Sequence, residues 1–229
     1  MTSTLSGALW SAAPYIPDSN EFWLFISRFG EAQILLPAML LALLWLALQP
    51  PARALALNWL AAVVAATVLT TASKVAFIGF GIGFAPLDYT GISGHAMFSA
   101  AILPVLLRVP VAHAAPRRAA WASAIGYGLA VLIAVSRIHV GAHSPVEVVL
   151  GNGLGLLASA WALRFAPPPG RRAPLWLPAA LALWLAMLPG TAPPSNTHGM
   201  VTALALEISG RPTPYTRSQM RHDHLRRLS

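Results

Sequence analysis

Ser136-Arg137-Ile138-His139-Val140-Gly141-Ala142-His143-Ser144-Pro145-Val146-Glu147 joins two apolar runs, Ala119–Val135 and Val146–Leu163, and its reading decides both fold and chemistry. An arginine, two histidines and a carboxylate are gathered around a Gly and Pro turn. In a chain with 10% charged residues, ionisable groups at the ends of apolar spans are costly to place and mark a candidate functional site. Ser144 and Pro145 suit the N-cap and first-turn positions of a following helix. Glu147 then falls in the first turn, where it can accept a hydrogen bond from the His143 ring and fix its tautomer.

Working outward, two more polar clusters stand at the ends of apolar runs, Lys74 and Ser93-Gly94-His95, making four with the Ser136-Arg137 and His143-to-Glu147 clusters of the quoted stretch. The runs are Ala32–Leu48, Ala54–Ala72, Ala96–Leu107, Ala119–Val135, Val146–Leu163 and Leu175–Leu188. The shortest two are completed by Gly94 through Val109 and Pro174 through Gly190. With 56% hydrophobic residues and a mean hydropathy of +0.63, the chain reads as a membrane protein. A span needs about 20 residues, so the expected fold is an all-α polytopic membrane bundle of about six transmembrane helices. Pro50-Pro51, Pro110, Pro116, Pro167-Pro168-Pro169-Gly170 and Pro189-Gly190 punctuate the runs where helices stop.

The expected organisation is an N-terminal segment 1–30, a membrane domain 31–189 and a polar, basic C-terminal tail 190–229. Residues 1–20 hold no Lys or Arg and no sufficient apolar core, so no secretory signal is expected and the first span is retained. Phe22, Trp23, Phe25 and Ile26 beside Asp18, Glu21 and Arg28 read equally as an interfacial helix or as an extension of the first span. In the tail, Met200–Ile208 reads as a helix packed on the bundle or lying on the membrane.

Six spans place the loops at 49–53, 108–118 and 164–173 on one side. Those loops hold Arg53, Arg108, Arg117, Arg118, Arg164, Arg171 and Arg172, which makes that side cytoplasmic by the positive-inside rule. All four polar clusters then share the outer face, although Arg211, Arg217, Arg221, Arg226 and Arg227 of the tail would lie there too. The net charge of +8 suits anionic lipid headgroups rather than nucleic acid, since no basic and aromatic recognition module is present. The absence of cysteine excludes a disulfide framework and a thiolate site.

Lys74 is the single lysine of the chain; it either snorkels to the interface or supplies a compact charge to a polar cavity. Ser93-Gly94-His95 opens a helix, so free backbone N–H groups at the positive end of the dipole can hold an anion. His139 reads as a pocket-wall residue, Asp88 as a loop residue or, second, as the salt-bridge partner of a phosphate-site cation, and Gly79, Gly81 and Gly83 as ordinary membrane-helix glycines rather than a phosphate loop, because no strand precedes them.

Over residues 54–165 the chain resembles the membrane lipid phosphatases of the type 2 phosphatidic acid phosphatase superfamily, which includes acid phosphatases and vanadium haloperoxidases. Lys74 stands at the lysine of the family's first motif, Ser93-Gly94-His95 at its second, and Ser136-Arg137 with His143 and Glu147 at its third. The resemblance implies that Lys74, Ser93, Gly94 and Arg137 bind phosphate. It also implies that His143 attacks phosphorus, that His95 protonates the leaving group, and that Glu147, replacing an aspartate, orients His143. No cofactor or metal is implied. The family's first motif continues with Arg-Pro where this chain has Gly81-Ile82, and Ile92 replaces a proline before Ser93.

The expected activity is hydrolysis of a lipid phosphate or diphosphate through a phosphohistidine, at the outer, periplasmic face of a bacterial-type inner membrane. Membrane lipids are the expected partners and nucleic acid is not. The same residues also suit transfer of the phosphoryl group to another lipid or glycan. A third reading is a lipid-binding or transport protein whose site has decayed. A metal site of His139, His143 and Glu147 would need one continuous helix, against which Gly141 and Pro145 argue.

Overall fold

The computed structural model describes residues 19–113, 116–164, 173–174, 176–191 and 195–228. The expectations for Asp18, for the loop carrying Arg171 and Arg172, and for Pro167 to Gly170 lie outside the described residues. The described chain is an all-α bundle: α1 (Ser19–Arg28), α2 (Ala32–Ala47), α3 (Arg53–Phe80), α4 (Gly94–Arg108), α5 (Pro116–His139), α6 (Pro145–Arg164), α7 (Trp176–Thr191), α8 (Thr197–Ser209) and α9 (Arg217–Leu228). One isolated antiparallel bridge, Phe84 with Tyr89, closes the loop between α3 and α4.

Four helical segments, Asn20–Ala47, Pro50–Phe80, Pro116–His139 and Pro145–Arg164, are long and apolar enough to cross a bilayer, while Gly94–Arg108 and Trp176–Leu185 are apolar but shorter. Their outer faces carry exposed Leu40, Leu44, Leu57, Val64, Ile125 and Leu157, the pattern of helices solvated by lipid tails rather than water. This is an integral membrane protein. The first long segment runs α1 almost directly into α2, so the structure gives both a helix at Phe22 to Ile26 and its near-continuity with the next apolar run. At about 1.5 Å per residue, the 28 residues of α3 are longer than a hydrocarbon core of about 30 Å. The helix is therefore long enough to cross the apolar layer with turns to spare, and Lys74 lies in its C-terminal quarter.

α4 lies at the centre, packed most extensively against α5 and α6 and also against α2 and α3. Its residues from Ala96 to Leu106 are almost all buried. Close approach is set by glycine. A Cβ on Gly126 of α5 would stand 2.6 Å from Pro104 Cα, and Gly155 of α6 faces the Met97 carbonyl and Ala100, the small-residue contact by which membrane helices bring backbones together. Trp59, fully buried, gives its indole N–H to the Ala101 carbonyl at 2.9 Å, satisfying the polar handle of a core aromatic.

α3 and α5 end where α4 and α6 begin, so the sequence clusters all fall at one end of the bundle. Arg53, Arg108, Arg117, Arg118 and Arg164 fall at the opposite helix ends. Helix α8 packs along α3, and α9 sits against the turn at Ala85–Leu87. Phe77, Ile78, Ala205 and Met220 make a small second apolar core there, so the stretch at Met200–Ile208 belongs to a helix packed on the bundle.

Candidate active site

Ser144-Pro145-Val146-Glu147 forms a capping box, with Ser and Glu three apart at a helix start. The Ser144 backbone N–H donates to Glu147 Oε2 at 3.1 Å, and the Glu147 N–H donates to Ser144 Oγ at 3.4 Å. Each such capping interaction contributes on the order of 1 kcal/mol to the helix. This geometry turns the Glu147 side chain back over the N-terminus of α6, where His143 Nδ1 donates to Oε2 at 2.7 Å. Glutamate at this position both closes the box and reaches His143.

His143 is brought there by the end of α5. Gly141 adopts the left-handed region at φ 68°, which costs glycine nothing. The N–H groups of Ala142 and His143 then return to the Arg137 carbonyl at 3.1 and 3.3 Å. The hydrogen bond to Glu147 assigns the proton to Nδ1, leaving Nε2 with its lone pair. Burial pushes the imidazole pKa below its ordinary value, with the hydrogen bond to Glu147 opposing the shift.

The loop before α4 is fastened to both neighbours. The Ile92 N–H donates to Ser73 Oγ at 2.9 Å and the Ser93 N–H to the Glu147 carbonyl at 3.1 Å. Gly91, at φ 135°, passes so close to α3 that a Cβ would stand 3.0 Å from Lys74 Cγ. Ser93 is the extended N-cap residue of α4, yet its hydroxyl makes no capping bond. It is fully buried and its Oγ has no partner among the described residues. An unpaired buried hydroxyl beside free helix N–H groups is a polar atom in need of a ligand.

Lys74, Gly94, His95, Arg137 and His143 line a single cavity of about 590 Å³. Arg137 is held by Ser27 of α1, whose hydroxyl accepts from Nη1; its buried Nε has no partner among the described residues. His139 does not line the cavity: its ring stacks on Trp23 with centroids 4.2 Å apart. No group of three acidic or histidine side chains arranged to hold a metal occurs among the described residues.

Sequence reasoning missed three participants. Thr90 gives both its N–H and its hydroxyl to Glu147 Oε1, each at 2.6 Å, and Ser27 steadies Arg137. The third is Arg217, at the start of α9, whose Nη2 lies 2.9 Å from both Glu147 oxygens and which lines the cavity too. Asp88, expected to be a loop residue, does sit in the loop, but it pairs with Arg217 and with Arg221, the latter at 2.7 Å. Those guanidinium groups, Arg221 foremost, hold its carboxyl below the usual carboxylate range. The tail arginines gave no signal in sequence because their partners are some 70 to 130 residues away.

Gly81 ends α3 in the left-handed conformation, φ 71°, with its N–H bonded to the Phe77 carbonyl and that of Ile82 to the Ala76 carbonyl. This helix stop is a position where glycine is favoured and an arginine would be strained.

A helical membrane bundle in which His143, paired with buried Glu147, shares a cavity of about 590 Å³ with Lys74 and Arg137 is equipped for phosphate-ester chemistry. Residues 71–171 match the family model described as the PAP2 superfamily. Over that stretch, less than half of the chain, the protein is similar to the PAP2 superfamily, and the likeness supports a phosphatase-type activity on phosphate esters. It is 36% identical over 138 residues to a Klebsiella pneumoniae protein named "Uncharacterized 22.5 kDa protein in cps region", an alignment covering 60% of this chain and 66% of that protein. No solved structure matches.

Proposed function

We propose that this protein is an integral membrane phosphatase that hydrolyses a lipid phosphate or diphosphate through a phosphohistidine. One observation carries the reading: His143, oriented through Nδ1 by fully buried Glu147, lines the same cavity as Lys74, Arg137 and His95. A nucleophile, a third group that orients it, and charge placed for a phosphoryl group are the parts such a reaction needs.

In the first step His143 Nε2 bonds to phosphorus as the bond to the leaving oxygen breaks, and His95 gives that oxygen a proton. Lys74, Arg137, the Ser93 hydroxyl and the Gly94 N–H take up the charge on the non-bridging oxygens. In the second step water attacks the phosphohistidine, His95 accepts the water's proton, and the P–N bond breaks to release phosphate. General acid–base assistance of this kind supplies a factor of about 10²–10⁴.

The six-span count includes the shorter α4 and α7. Arginines at the helix ends opposite the cavity support a cytoplasmic assignment for that side and an outward, periplasmic site in a bacterial inner membrane. The test is phosphate release by the purified protein from vesicles carrying phosphatidic acid, a polyprenyl diphosphate, phosphatidylglycerol phosphate or lipid A. Release from at least one, abolished in His143→Ala, is expected. Release from none would refute the hydrolase reading, and appearance of the label on a second lipid instead would identify a phosphotransferase.

A further inference from the structure

The Gly79-x-Gly81-x-Gly83 pattern at the end of α3 has no part in the reaction described above, and the structure gives it another partner. A Cβ on Gly79 would meet the Ala205 carbonyl at 2.9 Å, one on Gly81 the Tyr215 ring at 3.5 Å, and one on Gly83 Met220 Sδ at 2.7 Å. Gly79 and Gly83 therefore admit Ala205 and Met220 of the C-terminal segment, while Gly81, fixed as glycine by its positive φ, lies in ordinary contact with Tyr215. The Tyr215 N–H donates to the Ile78 carbonyl at 2.9 Å, and its ring meets Phe77 edge-on at 5.5 Å. The segment is seated by backbone and apolar contacts on the helix that carries Lys74.

What this seat presents is Arg217. Its Nη2 reaches both oxygens of Glu147 and the Thr90 hydroxyl, all at 2.9 Å. Its Nη1 donates to the Asp88 carbonyl at 2.9 Å and to the Asp88 carboxylate. Glu147 is fully buried, and a buried carboxylate without a cation is strongly unfavourable. His143 alone is a poor counter-charge, because it must be neutral to attack. The chain also lacks the first-motif arginine, and the α3 end where it would stand is built as a glycine helix stop.

We propose that the C-terminal segment is part of the active site, and that Arg217 is a positioning residue that clamps Glu147 and thereby holds His143 in its attacking orientation, while adding a third cation beside Lys74 and Arg137. This inference rests on the phosphatase reading for its chemistry but not for its test. Arg217 acts through Glu147, so its loss should alter how His143 titrates. Around His143 stand Lys74 of α3, Asp88 of the α3–α4 loop, His95 of α4, Arg137 of α5, Glu147 of α6, and Arg217 with Arg221 of α9. Removing Arg217 leaves the Glu147 carboxylate to act on His143 unopposed, which raises the pH at which the imidazole takes up its proton.

The experiment compares full-length wild type with Arg217→Ala, Arg217→Lys and, as a control on the same helix, Arg227→Ala. Two readouts are used: phosphate release across pH, and calorimetric binding of orthovanadate, an oxyanion that needs no turnover. Arg217→Ala should lower kcat and vanadate affinity by about 10–100-fold, the scale of one or two charge-assisted hydrogen bonds. The acid limb of its pH profile should move upward, and added guanidinium ion should restore part of the loss. Arg217→Lys, with charge but no fork, should fall between; Arg227→Ala should match wild type. Where Arg217→Ala melts too early to assay, the acid limb and vanadate affinity of Arg217→Lys decide. An unchanged acid limb and vanadate affinity in both Arg217 variants would overturn the inference even if lipid phosphates are hydrolysed. Weakened vanadate binding in a protein that hydrolyses none of them would support the inference and refute the phosphatase reading.

Discussion

Gly151→Ala would add a single carbon at the tightest seam of the site. Gly151, in the second turn of α6, packs directly on the Ser93 carbonyl, with Ala96 Cβ and Ser93 C each 3.3 Å from where its Cβ would stand. The nearest atom is backbone, so no side chain can swing away. Carbon and carbonyl oxygen normally meet at about 3.3–3.6 Å, and the new contact falls short of this by about 1 Å. Either α6 or the start of α4 must move by that amount. Moving α4 carries Ser93, Gly94 and His95 away from His143, and a misplacement of about 1 Å costs about 10²-fold in rate. Overpacking itself costs about 1–3 kcal/mol, partly offset by the roughly 0.5–1 kcal/mol that alanine gains over glycine in a helix. Gly153→Ala is the matched control, since nothing lies within 4 Å of its Cβ position; it should keep full activity. The assay is kcat/KM for phosphate release beside a detergent melting curve. A Gly151→Ala protein that melts normally and turns over at the wild-type rate would refute the claim that this contact sets the spacing of the site.

The two histidines should separate by substrate: His95→Ala should lose most activity on a lipid phosphate, whose alkoxide needs a proton, but keep appreciable activity on an aryl phosphate, whereas His143→Ala should lose both. Because burial lowers the His143 pKa and the neutral ring is the nucleophile, activity should persist as pH falls through about 6.5, and a kcat/KM profile with its acid limb above that value would contradict the assignment. For orientation, Leu87→Cys in this cysteine-free chain should react with an impermeant thiol reagent in intact cells and His113→Cys should not, the reverse result inverting the topology.

Legibility in the sequence followed the range of the interactions. The stretch from Ser136 to Glu147 could be read because its parts are local: a glycine stop, a serine cap and a glutamate three residues on all act within one turn of each other. Lys74 and Ser93-Gly94-His95 could be placed because alternating spans bring their ends to one side. Arg217 could not be found that way, since its partners Glu147, Thr90 and Asp88 are contacts that no periodicity encodes. Gly79, Gly81 and Gly83 were legible as composition but not as a seat, because what a glycine admits depends on the element that arrives. His139 illustrates the opposite case: sequence placed it beside the catalytic pair, but a helix turn of difference sends its ring to Trp23 instead.

The contact between Arg217 and Glu147 also sets an order on the making of the protein. A chain emerges from its N-terminus, so every helix from α1 to α8 is synthesised before the arginine that neutralises the buried carboxylate exists. Up to that moment Glu147 sits at the head of α6 without that cation. Arg217 arrives with α9, seated through the Tyr215 N–H on the Ile78 carbonyl of the helix laid down as the third. The site is thus completed after the helices that frame it, and a bundle lacking α9 would leave the Glu147 carboxylate without the Arg217 guanidinium.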